Sequence, residues 1–139
     1  QAVRSVQHME NSTDRARRVV QRYADAWLAN DLDGIIASYA DDFTLHYAGN
    51  NPFSGDHVGR DAAVTTLLAV AARAPRTLLG IDLVMAGHNC AVLVSSEELI
   101  VDGVPHRIRR TLRFRIDGEQ LDECWLLDED QALIDRAWS

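Results

Sequence analysis

The chemistry this sequence could do centres on Arg110 and the acids able to reach it. Asp102-Gly103 lies between two runs of period two and reads as a two-residue hairpin turn. Val101 then faces Val104 and Ser95 faces Arg110. Ala91, Leu93, Ser95, Glu97, Leu99 and Val101 share one side with Val104, His106, Ile108, Arg110, Leu112, Phe114 and Ile116. That side is apolar except at Ser95, Glu97, His106 and Arg110. The same logic across Asp117-Gly118 adds Leu121, Glu123, Trp125 and Leu127, with Trp125 opposite Arg110. A guanidinium between Ile108 and Leu112 requires a partner, because an unpaired buried charge is costly. Glu97 or Glu123 can supply one. The pair is then either purely structural or part of a polar cluster lining an apolar cavity, the usual form of a small-molecule site. In such a cavity a carboxylate moves a proton and an arginine supplies fixed positive potential.

Much other chemistry is excluded. All 14 basic residues are arginine, so the sequence offers no Schiff-base or P-loop lysine. The five histidines show no paired ligand spacing, and no metal site is expected. No G-x-S-x-G elbow and no glycine-rich phosphate loop occurs, and no organic cofactor is expected. A net charge of −7 works against nucleic-acid and anionic-membrane partners. Five arginines between Arg107 and Arg115 could suggest a nucleic-acid ribbon. However, the opposite side of the sheet interleaves Arg107, Arg109, Arg113 and Arg115 with Glu98, Asp122 and Asp128, which fall as cross-strand pairs Glu98–Arg107–Asp128 and Arg113–Asp122. Cys90 and Cys124 make no disulfide framework, which fits a reducing cytoplasm. No apolar run reaches the roughly 18 residues of a membrane span, so the chain reads as a soluble cytoplasmic protein.

The elements that must hold these residues follow from periodicity. At 139 residues and 47% hydrophobic content the chain suits one domain with a real core. Gln1 to His8 lack a hydrophobic period and precede Met9, so they read as an expression scar, with the domain spanning 9–139. Ser12 or Thr13 caps a helix with the apolar stripe Ala16, Val19, Val20, Tyr23 and Trp27. Leu32, Ile35, Ile36 and Tyr39 form a second short stripe. Phe43, Leu45 and Tyr47 alternate as a strand, which turns His46 to the opposite side from Tyr47. Residues 49–59 read as a loop, and Arg60–Arg73 as a helix with Val64, Leu67, Leu68 and Ala71 inward, ended by Ala74-Pro75. Strands at 78–86, 90–101, 104–116 and 120–128 follow, then a short tail ending in Trp138. This order predicts an α+β fold, a cone-shaped curved antiparallel sheet wrapped around the N-terminal helices.

Val19-Val20-Gln21-Arg22-Tyr23, Asn30-Asp31-Leu32-Asp33-Gly34-Ile35 and Ala40-Asp41-Asp42-Phe43-Thr44 resemble the opening of a ketosteroid isomerase. Leu45-His46-Tyr47 through Gly49, Pro52, Ser54-Gly55 and Gly59-Arg60-Asp61-Ala62 is similar to the SnoaL-like polyketide cyclase branch of the same nuclear transport factor 2-like superfamily. The resemblance covers nearly all of 15–138 and implies the cone fold, a homodimer formed through the outer sheet face and an internal site, while the superfamily hosts several reactions and binders. It gives Tyr23 the place of the tyrosine that donates to an enolate oxygen, and Tyr39 that of a supporting tyrosine. Departures accompany it. Tyr47 stands where the isomerase has its aspartate base, Arg110 where it has a protonated aspartate, and the cyclase acid/base position falls near Trp125. The resemblance therefore implies proton-transfer isomerisation or cyclisation of an apolar, polyketide-like carbonyl compound by other residues, or a binding or dimeric assembly module. The expected catalytic set is Tyr23, Tyr47, Arg110, Glu123 and Glu97. Trp27, Tyr39, His46, Ser95, Leu112 and Trp125 are expected to contact the substrate.

Overall fold

The computed structural model describes residues 10–139; the scar reading of Gln1–His8 lies outside them. Helix α1 runs Ser12–Leu28. Its cap is Asn11 rather than Ser12 or Thr13, the Asn11 side chain accepting from Asp14 N at 2.8 Å. Ala16, Val19, Val20 and Tyr23 are buried as the stripe predicts, and Trp27 packs against them. Asn30, at φ 54°, turns the chain out of α1, a left-handed conformation that Asn tolerates. Asp31 then caps α2, Leu32–Ala37.

Strand β1, Tyr39–Tyr47, begins earlier than the alternation suggested, taking Tyr39 into the sheet. The segment expected as loop contains a short strand β2, Gly55–Val58, paired antiparallel with β1. Its partner strand supplies the hydrogen bonds that local propensity did not announce. Helix α3, Arg60–Arg73, buries Ala63 and Val70; Val64 and Leu67 pack at the margin, and Leu68 faces outward, contrary to the expected stripe. Strands β3 (Arg76–Gly87), β4 (Cys90–Val101), β5 (Val104–Asp117) and β6 (Gln120–Asp128) form a meander. The expected tail is a helix, α4, Gln131–Trp138, capped by Asp130.

The six strands form one curved open sheet in the order β2-β1-β6-β5-β4-β3. The β1–β6 pair is parallel, so the sheet is mixed rather than wholly antiparallel. The concave face meets α1, and α3 packs against β1. The cone core joins Ala16, Val19, Val20 and Ala24 of α1 to Leu93, Leu99, Ile108, Leu112, Phe114, Leu121 and Leu126 of the sheet, so truncating a residue such as Leu93 costs about 2–5 kcal/mol.

The first hairpin has the expected register: Asp102 and Gly103 both have positive φ, Val101 faces Val104, and Ser95 faces Arg110. The second does not. The turn is Gly118-Glu119, with Asp117 opposite Gln120, and a β-bulge follows between Ile116–Leu121 and Arg115–Glu123. One extra residue on β6 exchanges its two faces from there on. Cys124, Leu126 and Asp128 point inward, whereas Glu123, Trp125 and Leu127 point outward. Trp125 lies opposite Arg113, and Asp128 lies opposite Arg110.

Candidate functional site

The bulge divides the expected residues between the two sides of the sheet. Inside the cone, Arg110 meets neither Glu97 nor Glu123. Its partner is Asp128, which accepts from Nε at 2.6 Å and from Nη2 at 3.2 Å, both side chains being 3% exposed or less. Asp128, expected outside beside Arg107, is thus an interior residue. Nη2 of Arg110 also donates to the Tyr47 hydroxyl at 2.7 Å, and that oxygen accepts a second bond from Trp138 Nε1 at 2.7 Å. Burial works against charge on Arg110, but Tyr47, Asp128 and Glu97 hold its pKa above the ordinary value. Tyr23 lies edge-on to Phe114 at 5.2 Å and accepts a hydrogen bond from Tyr39 at 3.3 Å; burial pushes both phenols upward. Leu112 is buried in the same interior. Tyr23 and Tyr39 therefore form one enclosed pair, and Tyr47 and Arg110 another.

The sheet's outer side carries the others. His46 stacks on Trp125 at 5.1 Å, its Nδ1 meets Asp56 at 2.6 Å, and its Nε2 meets Glu123. Arg113 covers the other part of Trp125 at 4.7 Å, and Arg115, not Arg113, pairs with Asp122, at 2.7 Å. Glu123 and Trp125 consequently cannot share a pocket with Tyr47 and Arg110, as the unbulged register had them do. His46 is on the side that alternation predicted, opposite Tyr47.

A cavity reaches two residues of the expected set, Trp27 and Glu97. It has a volume of about 510 Å³ and opens at the cone's mouth, where α1 and α3 end and β3 begins. Trp27, Leu28, Ala71, Pro75 and Leu78 give it apolar walls, and Asn30, Arg76 and Glu97 give it polar groups. Glu97 lies at the floor, only 3% of its side chain exposed. Ser95 Oγ donates to its Oε2 at 3.1 Å, and Arg76 Nε donates to its Oε1 at 3.0 Å. Arg76 rests on the Trp138 indole, 5.2 Å from the ring centre, and Arg110 lies 5.9 Å from the same ring. Trp138 thus occupies the space between the mouth pair and the interior pair. Pocket size and lining suit a small organic ligand. A fixed carboxylate among apolar walls can accept a proton, its oxygens retaining lone pairs beyond the two bonds they make.

Arg76, Asn30, Asp128 and Trp138 were not singled out from sequence. Extending the β3 alternation back from Leu78 by two residues would have placed Arg76 on the inner side. Asp128 was hidden by the bulge, and Trp138 by reading 131–138 as a tail, although Leu133, Ile134, Ala137 and Trp138 keep helical spacing.

A cone-shaped sheet enclosing helices is the nuclear transport factor 2-like fold. The chain belongs to the SnoaL-like domain family, whose model matches residues 20–123. Among solved structures it is similar to a cystatin-like-fold protein from Xanthomonas campestris, with 21% identity, TM-score 0.81, and coverage of 94% of this chain and 99% of the other. A nuclear transport factor 2-like protein from Burkholderia xenovorans matches at 17% identity and TM-score 0.75 over 94% and 100% of the two chains. A protein from Xanthomonas campestris pv. campestris, provisionally named a polyketide cyclase, matches at 18% identity and TM-score 0.73 over 91% and 99%. At these identities the likeness establishes the fold.

Proposed function

We propose that this protein isomerises or cyclises a small, largely apolar carbonyl compound bound at the cone's mouth, with Glu97 as the proton carrier. The observation that supports this reading is a carboxylate held at the floor of an apolar-walled cavity by Ser95 and Arg76. Glu97 takes a proton from the carbon beside the substrate carbonyl, and the electron pair of that C–H bond moves to leave an enolate. The positive potential of Arg76 offsets the charge that develops. Returning the proton to a different carbon completes an isomerisation. Attack of the enolate carbon on a second carbonyl, with the proton delivered to the new alkoxide, completes a cyclisation. Trp27, Leu28 and Leu78 hold the apolar body. Tyr23, Tyr47 and Arg110 act as the scaffold behind the site rather than as reagents, because all three are buried and none of them lines the mouth cavity. The provisional cyclase name of one structural neighbour is compatible with this reading.

The test needs no knowledge of the natural substrate. In D2O, the protein should speed loss of the α-proton signal of cyclic ketones such as 2-tetralone, followed by proton NMR, and Glu97→Gln should abolish the acceleration. Equal rates for the two proteins, or no acceleration by either, would sink the reading.

A second reading, dimeric assembly, has its own support: Leu83, Met85 and Leu127 are 43%, 52% and 49% exposed and stand on the outer sheet face with Trp125. A second copy of the chain would cover this apolar strip. Met85→Glu together with Leu127→Glu should halve the mass seen by sedimentation equilibrium. An unchanged mass would exclude this face as the contact.

A further inference from the structure

From the guanidinium of Arg76 we infer that the ligand of the mouth cavity is a monoanion whose carboxylate is received by Arg76 Nη2 and the Asn30 side-chain amide. The inference rests on the proposal that the mouth cavity is the substrate site. Arg76 spends Nε on Glu97 and Nη1 on the Ala74 carbonyl, at 3.4 Å, and among the described residues Nη2 makes no hydrogen bond. The Asn30 side-chain amide likewise makes none with the described residues, its backbone N–H alone donating, to the Trp27 carbonyl. Both groups line the cavity, whose other walls, Trp27, Leu28, Ala71, Pro75 and Leu78, present side chains without acceptors. A charged donor facing apolar walls takes its acceptor from whatever enters the cavity. A carboxylate matches a guanidinium in shape and charge better than a neutral carbonyl does.

Glu97 does not use up the positive potential. Its Oε2 is bonded by Ser95, so Arg76 is not its sole hydrogen-bond donor. Arg76 therefore bridges two acids, Glu97 through Nε and the ligand through Nη2. Asn30 is available because α1 ends in a left-handed turn that leaves its side chain at the rim. The Arg76 guanidinium lies over Trp138, 5.2 Å from the ring centre, which steadies it at the cavity wall. The preferred substrate is thus a keto acid, with a neutral ketone such as 2-tetralone accepted as a weaker one.

The probes are 2-naphthoate and its neutral counterpart 2-naphthamide, titrated by calorimetry at low salt, where charge recognition is least screened. Naphthoate should bind at least tenfold more tightly. Arg76→Gln combined with Glu97→Gln removes the ion pair without leaving an unpaired buried charge and should make the two affinities equal. Asn30→Gly, which removes the side-chain amide and keeps the left-handed turn, should weaken naphthoate severalfold and leave naphthamide unchanged. Ala71→Trp, which fills the cavity, should abolish both. If wild type binds both probes equally and Ala71→Trp abolishes both, the carboxylate subsite is wrong while the cavity stands. If neither probe binds, the subsite and the mouth-cavity reading fall together.

Discussion

Replacing Asp128 by alanine removes the carboxylate that holds Arg110 inside the cone. The two side chains are 3% and 2% exposed, and their contacts are 2.6 and 3.2 Å, so the guanidinium left behind has the Tyr47 oxygen as its remaining hydrogen-bond partner among the described residues. Breaking a buried pair from one side costs about 3–5 kcal/mol. Against a typical total of roughly 5–15 kcal/mol, that is a large share of the protein's stability. For a chain of this size the melting temperature should fall by on the order of 10–20 °C. Arg110→Met combined with Asp128→Leu removes both charges and keeps apolar volume, so it should recover most of the loss. Urea unfolding followed by far-ultraviolet circular dichroism measures each variant. Glu119→Ala serves as the surface comparison: its pair with Arg18 is solvent-exposed, so the midpoint should barely move. A loss below about 1 kcal/mol for Asp128→Ala, or a double variant as weak as the single one, would refute the claim that burial of this pair is what matters.

Trp138→Ala should cost about 3–5 kcal/mol in the same assay, since the indole is 0% exposed and hydrogen-bonded, and added indole should restore part of it by filling the cavity left behind; a variant as stable as wild type would show that α4 is not needed to close the cone. His46 should govern a pH-dependent term. Desolvation opposes its charge, but the hydrogen bonds to Asp56 and Glu123 outweigh this and raise its pKa above 6.5. The folded value exceeds the unfolded one, so the stabilisation is complete below about pH 6.5 and fades as pH rises through the folded value. An imidazole NMR titration midpoint at or below 6.5 would contradict this.

The register of β4 on β5 could be read because Asp102-Gly103 permits one tight turn, and alternation then fixed Ser95, Glu97, Arg110 and Leu112 on the inner side. The same reasoning failed across β6 for a definite reason. Misplacing the turn by one residue was harmless, because it moved pairing by two positions and kept the faces. The bulge moved pairing by one and exchanged Trp125 and Glu123 for Leu126 and Asp128. Gly34, Asp41 and Asp42, which carried part of the family resemblance, lie outside the lining of the mouth cavity. Arg76 escaped notice because Pro75 masks the start of β3. Gly49 is a smaller case. Its φ of 99° and the approach of Gln131 and Asp135, which a Cβ would strike, show a loop fitted to α4, yet nothing in the local sequence announces that helix as its partner.

The parallel pairing of β1 with β6 also orders the making of the molecule in time. The β4–β5 hairpin closes a two-residue turn, whereas Leu45 must find Cys124 across most of the domain. Local closure is rapid and long-range closure slow. The meander is thus expected to organise first and to recruit β1 afterwards, with docking of α4 sealing the interior pair. Substitutions in the hairpin should then slow refolding, and substitutions at the β1–β6 seam or at Trp138 should chiefly hasten unfolding.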